Sequence, residues 1–536
     1  MVVKGLVKRG EYFDSVTLMR VAQKINTEKG VIDSGLITGS RENKAILKAS
    51  GLFVDSFTKA ADNDLLVAVK AKSERIAAQI LDRVDDFLRD NRKKVAGSSA
   101  ANPASPQFGT AASRPASLEA ALDLLPGANL AMISIAGKYA GDEAAKALQK
   151  GLHVFLFSDN VTLEKEIELK KLAREKGLLL MGPDCGTAII NGIPLGFANA
   201  VPRGSIGIVA AAGTGLQETS SLIANEGAGI SQAIGTGGRD IKKDVGGIMF
   251  IKAIEALAAD KKTAVILLIA KPPDKTVQQK IAMVLHNIAK PVVIVFLGGE
   301  AGMFKGKNIY DVATLEEGAL TAVALWCGDK VENAWQRLAG RDAQLRNKAR
   351  TIAEKLRRQQ KYVRALFSGG TFCSEAQVIF RGRVPDLFSN VPLDMLAKLK
   401  DNLRSKKHTF LDMGEDEFTA GRLHPMLDFS MRNRRMLQEA GDPETALILL
   451  DLVLGYGANK DPLAEIIPVI RACRKTAAAS GRYLPLLVSV TGTDQDPQNR
   501  SLVVKSLRQN GAEVLESNAA ASILALYIIE HLGRKS

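Results

Sequence analysis

The sequence predicts an α/β protein built mainly on parallel sheets, with a small α+β module at its amino terminus. Three observations carry that prediction. From about residue 117 onward, short apolar strands alternate with charged amphipathic helices over short connections, the pattern of strands lying side by side beneath crossover helices. Most of those strands end in glycine or acidic turn residues. The pattern of residues 204–300 then returns, segment by segment, in residues 361–495. At 536 residues the chain is long enough for about three to five domains. A hydrophobic fraction of 46% and a charged fraction of 24% exclude a wholly disordered chain and a disulfide scaffold.

Residues 1–94 read as the small module, with strands at 2–8, 31–36 and 65–70. A helix capped by Asp14 or Ser15 is expected to run to about Lys29, because either side chain can accept the first unpaired amides. Further helices are expected at 41–49 and 73–89, the last with Ile76, Ile80, Val84 and Leu88 at helical spacing. The order β-α-β-α-β-α suits a ferredoxin-like or ACT-like module. Residues 95–117 are small, polar and proline-rich, and read as a flexible linker. In 118–200, strands at 132–135, 153–157 and 178–181 alternate with helices at 142–150 and 163–176, the pattern of a parallel, Rossmann-like sheet covered by helices.

The repeat defines the rest. Residues 205–212 followed by GTGLQETSSLI match 363–367 followed by SGGTFCSEAQVI. The strand before GGRD matches the one before GEDE, that before KPPD matches that before GYGANKD, and that before GGE matches that before TGTDQD. Two flavodoxin-like domains are therefore expected, at 201–327 and 361–536. Residues 328–360 join them as a charged helical connector with Trp335, Leu338, Leu345, Ile352 and Leu356 on one side.

Lysine plus arginine number 72 and aspartate plus glutamate 58, a net charge of +14. That balance favours small anionic partners such as a carboxylate, a phosphate or an acyl-CoA. Aromatic residues make up 5%, and none forms a stacking platform beside the basic runs, so nucleic acid is not an expected partner. The four cysteines lie far apart with no C-x-x-C spacing, no apolar run reaches a membrane span of roughly 18 residues, and the amino terminus lacks a long apolar segment. A cytoplasmic protein with no membrane partner is the expectation.

Gly213-Thr214-Gly215 sits between a strand and a helix. There a tight backbone turn, expected to use positive φ at Gly213, aims the first helical amides and the positive helix end at an anion. Ser368-Gly369-Gly370-Thr371 makes the same arrangement in the second repeat. Gly235, Gly237 and Gly238 lead to Arg239, a candidate fork for an oxyanion. Ligands of parallel sheets lie outside the carboxyl ends of the strands. Gly213, Gly235, Gly369, Gly414, Gly455 and Gly492 are therefore expected to border one cleft. Residues 412–428 concentrate Asp412, Gly414, three further carboxylates by residue 417, Arg422 and His424. Arg422 reads as a carboxylate clamp, His424 as an acid–base group, and the carboxylates as a candidate magnesium site. His153, His286 and His531 read as structural. Cys185, in GPDCG, has no local base to activate it.

These motifs carry a resemblance. GPDCG, IGIVAAAGTG and AIGTGGRD resemble the α subunit of succinyl-CoA synthetase, and 131–176 resembles the second half of that family's CoA-binding domain. FLDMGEDE and LLDLVLGYGANKDPLAEII resemble the carboxy-terminal domain of its β subunit. With DMGEDEFTAGRLHPMLD and YFDSVTLM, the chain over nearly its full length resembles the FdrA family of acyl-CoA synthetase-like proteins. The resemblance implies two succinyl-CoA-synthetase-type flavodoxin-like domains after part of a CoA-binding domain, and a ligand set that includes CoA, a phosphorylated substrate or magnesium. It implies further protein subunits or a homo-oligomer.

Departures from the synthetase pattern restrict the chemistry that the resemblance implies. The phosphate-carrying histidine of its G-H-A-G-A loop has no counterpart in LGGEAGMFKGKNIYDVATLEEGA. Lys271 stands where the synthetases place a supporting glutamate. Their first CoA-binding loop and nucleotide-binding half are absent. Some FdrA-family members are linked to oxamate carbamoyltransferase, which needs an oxyanion cradle and a carboxylate clamp but no phosphohistidine. The expectation is a carbamoyltransferase subunit. Its alternatives are an ADP-forming acyl-CoA ligase and a non-catalytic regulatory or scaffold protein.

Overall fold

The structure, a computed structural model, describes residues 1–10, 13, 15–61, 64–89, 115, 117–300, 302–419 and 422–533. It divides into two compact units. The first comprises Met1–Ala128 and Asp416–His424; the second comprises Asn129–Glu415 and Pro425–Ser536.

The first unit is built on β1 (Val2–Lys8), α1 (Ser15–Asn26), β2 (Val31–Thr38), α2 (Arg41–Ala49), β3 (Leu65–Ala71) and α3 (Glu74–Asp82). Its sheet is antiparallel with β3 in the middle, in the order β1-β3-β2. β3 reads LLVAVKA because both of its faces are covered. Leu65, Val67 and Val69 meet Leu18, Val21 and Ile25 of α1 and Ile80 of α3, while Leu66 and Ala68 meet Leu47, Leu52 and Phe57. Ser73 caps α3 by accepting from the Ile76 amide. The expected order of strands and helices is the observed one. The Asp14 cap and all of the expected linker but Pro115 and Ser117 fall outside the described residues. Ser117 caps α4 (Leu118–Leu124).

The second unit holds three sheets. β4 (Leu130–Ile133), β5 (His153–Leu156) and β6 (Leu180–Met181) are parallel, with α5 (Gly137–Gln149) and α6 (Leu163–Glu175) between them. β7 (Thr187–Ile190) and β8 (Ile193–Gly196) form a hairpin absent from the sequence-based expectation. The turn is Asn191-Gly192, both at positive φ as a two-residue hairpin requires.

The hairpin extends a seven-stranded sheet through β9 (Arg203–Ala210), β10 (Ile230–Gly235), β11 (Val265–Ala270), β12 (Val292–Phe296) and β13 (Ile309–Asp311). The sheet order is β13-β12-β11-β9-β10-β7-β8. Without the hairpin this is the flavodoxin order, with the first strand second from the edge. Its helices are α7 (Gly213–Asn225), α8 (Ile248–Ala259), α9 (Lys275–His286) and α10 (Leu315–Cys327). The connector is one helix, α11 (Val331–Ala353), which buries Leu338, Leu345 and Ile352.

The third sheet repeats the plan with β14 (Tyr362–Phe367), β15 (Leu387–Ser389), β16 (His408–Asp412), β17 (Thr445–Val453), β18 (Leu486–Thr491) and β19 (Glu513–Leu515). All are parallel, in the order β15-β16-β14-β17-β18-β19. The short edge strand β15 is the one addition to the flavodoxin order. α12 (Gly370–Phe380) follows β14 as α7 follows β9, and α13 (Ser430–Gly441), α14 (Pro462–Ala479), α15 (Arg500–Gln509) and α16 (Asn518–Gly533) complete the domain. The two flavodoxin-like halves share one apolar core, in which Leu216 and Ile223 of α7 join Phe372 and Ala376 of α12 and Leu524 and Ile528 of α16. That shared core brings the amino termini of α7 and α12 together.

Candidate functional site

β9 ends at Ala210 and α7 begins at Gly213; β14 ends at Phe367 and α12 begins at Gly370. The residues capping these helices are Ala212 and Gly369, and neither makes a side-chain capping hydrogen bond. The first amides of both helices therefore keep their capacity for an external acceptor, with the positive end of each helix dipole behind them.

The two turns interlock. A Cβ on Gly369 would lie 2.3 Å from Thr214 Cγ2, and a Cβ on Gly215 would lie 3.0 Å from Thr371 Cγ2. Each glycine thus makes room for the threonine of the other repeat. Gly213 is different. It does not take the positive φ expected of it, and a Cβ there would meet only Thr187 Oγ1, at 3.7 Å. Its smallness leaves open space rather than satisfying backbone strain. Thr187 is buried, and among the described residues its hydroxyl has no hydrogen-bond partner. A buried polar group without a partner is costly, and an anion at the α7 terminus would supply one.

Asp412 ends β16 beside the start of α12. Its main chain exchanges hydrogen bonds with the Asn390 side chain, at 2.9 and 2.8 Å, and Oδ1 accepts from the Gly414 amide at 2.9 Å. A Cβ on Gly370 would lie 2.5 Å from Asp412 Oδ2 and 4.0 Å from Lys271 Nζ. Burial pushes the Asp412 carboxyl up to about 7, assisted by the charge of Glu415 and opposed by the Gly414 hydrogen bond and Lys271. Below it, Asp451 accepts from the Ser368 amide at 2.7 Å and from the Ser368 hydroxyl, and buried Arg432 donates to the Asp451 carbonyl at 2.8 Å.

One turn down each helix lies a buried glutamate. Glu218 accepts from the Asn518 amide at 2.9 Å and from the Thr491 hydroxyl. Glu375 accepts from the Leu315 amide and from Asn518 Nδ2, both at 2.7 Å. Burial pushes Glu218 up to about 7 and Glu375 up to about 8.

Other expected site residues have different work. A Cβ on Gly235 would strike the Thr187 carbonyl at 2.4 Å and Cys185 Sγ at 2.5 Å, and one on Gly237 would strike the Pro183 carbonyl at 2.4 Å. Both glycines serve the packing of the 182–187 loop. Gly238 is exposed, with only Ala211 O near it, at 3.8 Å. Arg239 pairs with Glu166 at 2.7 Å and donates to the Val161 carbonyl at 2.7 Å, beside a fully buried Lys170 that pairs with Glu166 and Asp240. Its guanidinium is part of a structural charge cluster. Gly455 and Gly492 permit close packing: their Cβ atoms would lie 3.0 Å from the Ala198 carbonyl and 2.8 Å from Leu454 Cβ. The six glycines expected at one cleft therefore divide, with Gly213 and Gly369 at the paired turns, Gly414 donating its amide to Asp412 Oδ1, and Gly235, Gly455 and Gly492 against protein atoms.

Arg422 belongs to the first unit, where it forms an ion pair with Asp33; His424 lies in the same unit. Among the described residues no group of three or more His, Cys, Asp or Glu side chains is arranged to hold a metal ion, so the expected magnesium site is not formed there. Burial pushes the Cys185 thiol up to about 12, which makes it a poor nucleophile. His153 Nδ1 accepts from the Leu179 amide at 2.9 Å, a structural role. His408, to which the sequence pattern assigns no role, is also structural: Nδ1 accepts from the Val363 amide at 3.2 Å, and burial pushes it down to about 4. Lys271, in sequence only a departure from the synthetase pattern, gains a place here through its charge complementarity to Asp412.

Comparison with known proteins agrees with this architecture. A CoA-ligase family model matches residues 366–528, a CoA-binding domain model matches 203–298, and a model described as "AllF, heavy metal-associated domain" matches 1–104. The uncharacterized protein YahF of Escherichia coli (strain K12) is 41% identical over 527 residues, 98% of both chains. The chain belongs to the FdrA family. The succinate–CoA ligase [ADP-forming] α subunit of Staphylococcus epidermidis is 26% identical over 180 residues, 32% of this chain and 57% of that subunit. This FdrA-family chain is therefore a member of the succinyl-CoA-synthetase-like acyl-CoA ligase superfamily. A dinucleotide-forming acetyl-coenzyme A synthetase from Ca. Korarchaeum cryptofilum aligns over 77% of this chain and 86% of its own, at 14% identity and a TM-score of 0.32. The CoA-binding match falls on the domain that begins with β9, whereas the family resemblance placed part of a CoA-binding domain at 118–200. The heavy-metal description does not fit the donor set. The chain has no cysteine or histidine before His153, and soft metal ions are held by thiolate and imidazole. Among the described residues no helix is long and apolar enough to cross a membrane.

Proposed function

We propose that the second unit binds the phosphate of an acyl or carbamoyl phosphate between the amino termini of α7 and α12. We further propose that it transfers a carbamoyl group between phosphate and a small amide acid such as oxamate. The observation that carries this reading is the pair of uncapped, interlocked helix termini with the orphaned Thr187 hydroxyl at one and Asp412 with Lys271 at the other. The chain has no histidine between His286 and His408, so a relay through a histidine in the 298–304 loop is not available to it.

The helix amides and Thr187 hold the phosphate. The amide nitrogen of the acceptor attacks the carbamoyl carbon, and the carbon–oxygen bond to phosphate breaks. The proton leaving nitrogen passes to the Asp412 carboxylate, whose elevated pKa suits that exchange near neutrality. Lys271 offsets the charge that gathers on oxygen. Each positioned donor at that oxygen contributes about 3 kcal/mol to the transition state.

A second reading, an ADP-forming acyl-CoA ligase completed by another subunit, is favoured by the CoA-ligase and CoA-binding matches. Two assays separate them on the same preparation: carbamoyl phosphate plus oxamate, and CoA plus ATP plus succinate. Calorimetry with inorganic phosphate tests the cradle itself. Gly213→Val is expected to weaken phosphate more than tenfold, about 1.4 kcal/mol, and to stay folded because only Thr187 Oγ1 lies near the added Cβ. Equal affinity in wild type and variant overturns the cradle.

A further inference from the structure

The two halves differ at one connection. In the first, α7 reaches β10 through residues 226–229; in the second, α12 reaches β16 through residues 381–407. The longer connection supplies β15 at the edge of the third sheet and then a surface segment, residues 390–407. That segment is fastened along its length. The Leu393 amide donates to Gln377 Oε1 at 3.2 Å, and the Leu399 amide to the Ser389 carbonyl at 2.9 Å. From α13, Arg435 donates to the Asn402 carbonyl at 2.8 Å and Gln438 to the Leu403 carbonyl at 3.2 Å. Held in this way, the segment still turns large apolar side chains outward. Asp394 accepts from the Leu396 amide at 3.0 Å and caps a 3-10 turn, Met395–Ala397, on which Met395 is 74% exposed and Leu396 90%. Leu403, further along, is 63% exposed. Single exposed leucines are ordinary. Adjacent ones on a fastened turn, in a segment added to the repeated plan, have the form of a docking anchor.

The charges around the turn specify its partner. Residues 390–407 carry five cations, Lys398, Lys400, Arg404, Lys406 and Lys407, against two acids, Asp394 and Asp401. Asp394 is committed to the cap, and Asp401 lies 3.6 Å from Arg404. We propose that the Met395–Leu396 turn docks a different protein, one that presents an apolar socket with a carboxylate-rich rim. Leu396 and Met395 fill the socket, where the unbranched thioether adapts to the shape it meets. The rim answers the cations, which orient the encounter and speed it. A second copy of this chain is disfavoured, because it carries +14 overall and would bring its own cations to the contact. An anionic membrane is disfavoured too, because the two acids interrupt the basic run and residues 390–407 contain no aromatic side chain to seat at a lipid interface. At the root of the segment the Asn390 side chain holds the main chain of Asp412, so a protein docked on this turn stands beside the carboxyl end of β16. This docking does not depend on the reaction at the paired turns.

The photo-crosslinking side chain p-benzoylphenylalanine, placed at Leu396 of the full chain and irradiated in the cells that make the protein, is expected to capture one acidic protein. The same group at Leu502, an exposed leucine of α15, should not capture it. The captured protein is identified by mass spectrometry, purified alone and titrated into the full chain by calorimetry. Leu396→Glu and Met395→Glu are expected to weaken binding more than tenfold and Lys400→Glu severalfold, and added salt should weaken it further. All three variants should keep the wild-type urea midpoint and phosphate affinity, since these side chains face solvent. No adduct at Leu396, an adduct with a second copy of this chain, or unchanged affinity in Leu396→Glu overturns the proposal. An affinity indifferent to both Lys400→Glu and salt removes the carboxylate rim and overturns it as well. So does a lowered urea midpoint in Leu396→Glu, which would mean that the side chain is packed rather than presented. Flotation with vesicles of phosphatidylserine and phosphatidylcholine in equal parts, lost in Leu396→Glu, would assign the turn to a membrane instead.

Discussion

Replacing Gly369 with alanine tests the interlocked turns directly. Gly369 has φ −150°, a conformation open to any residue, so the substitution adds no backbone strain. The added methyl would lie 2.3 Å from Thr214 Cγ2, 2.8 Å from its Oγ1 and 3.0 Å from its Cβ. The first two are far inside contact distance, so α7 or α12 must move. Overpacking of this kind costs about 1–3 kcal/mol. Thr214→Ala removes Cγ2 and Oγ1 and leaves only the contact at 3.0 Å, so Thr214→Ala combined with Gly369→Ala should recover most of the loss. The coupling energy of the double-mutant cycle is then about 1–2 kcal/mol in the direction of rescue. Urea unfolding followed by tryptophan fluorescence reads it as a lowered midpoint that returns in the double variant, with the slope unchanged. Full stability in Gly369→Ala, or strictly additive effects, would mean that the two turns do not abut, and the shared anion cradle would fail with them.

Three further outcomes rest on named contacts. Arg422→Ala should lower the stability of the first unit by about 1 kcal/mol or less, the usual effect of a partly exposed ion pair, with phosphate affinity unchanged by calorimetry; a loss of phosphate binding would restore Arg422 to the ligand site. Glu375 has a folded pKa of about 8 against an ordinary value of 4.5, so between those limits the folded state keeps a proton that the unfolded chain releases. Stability should therefore fall as pH rises through that window, and unfolding free energies from urea titrations at pH 5 and 9 should differ less in Glu375→Gln than in wild type, by about 1 kcal/mol or more. Incubation with labelled ATP should give no acid-labile, base-stable phosphate on the chain; such a label on any histidine would return the phosphohistidine relay to consideration.

The repeat is legible because it is written in strands. A buried parallel strand must be apolar over its whole length, and the turn at its carboxyl end must be small or polar. β9 with its GTG and β14 with its SGG therefore announce one another across more than a hundred residues. The hairpin β7–β8 carries an equally local signal, Asn191-Gly192 between apolar runs, but the surrounding pattern of parallel strands masks it. The site is legible only in part. Spacing shows that Gly213 and Gly369 each begin a helix, but not that Thr214 fills the space left by Gly369. The acidic run after Asp412 looks like a single cluster, yet it divides between the two units at Glu415 and Asp416. Arg239 and Arg422 look available because a sequence does not disclose partners as distant as Glu166 and Asp33.

The buried glutamates give the paired helices a coherent electrostatic logic. Two helix termini aimed at one place add their partial positive charges, and an anion there benefits from both. Glu218 and Glu375 stand one turn inside those termini, where two ionised carboxylates would cancel much of that field. Burial prevents this near neutrality by raising both toward the protonated form, and the charge of Glu218 raises Glu375 further, so the second proton is the harder to remove. Glutamate is not needed there for charge. In its neutral form it joins the Asn518 amide groups, the Leu315 amide and the Thr491 hydroxyl across the boundary between the two halves. The same side chains thus fasten the halves together and leave the anion site positive, a combination that an aspartate too short to reach Asn518, or a permanently ionised group, would not provide.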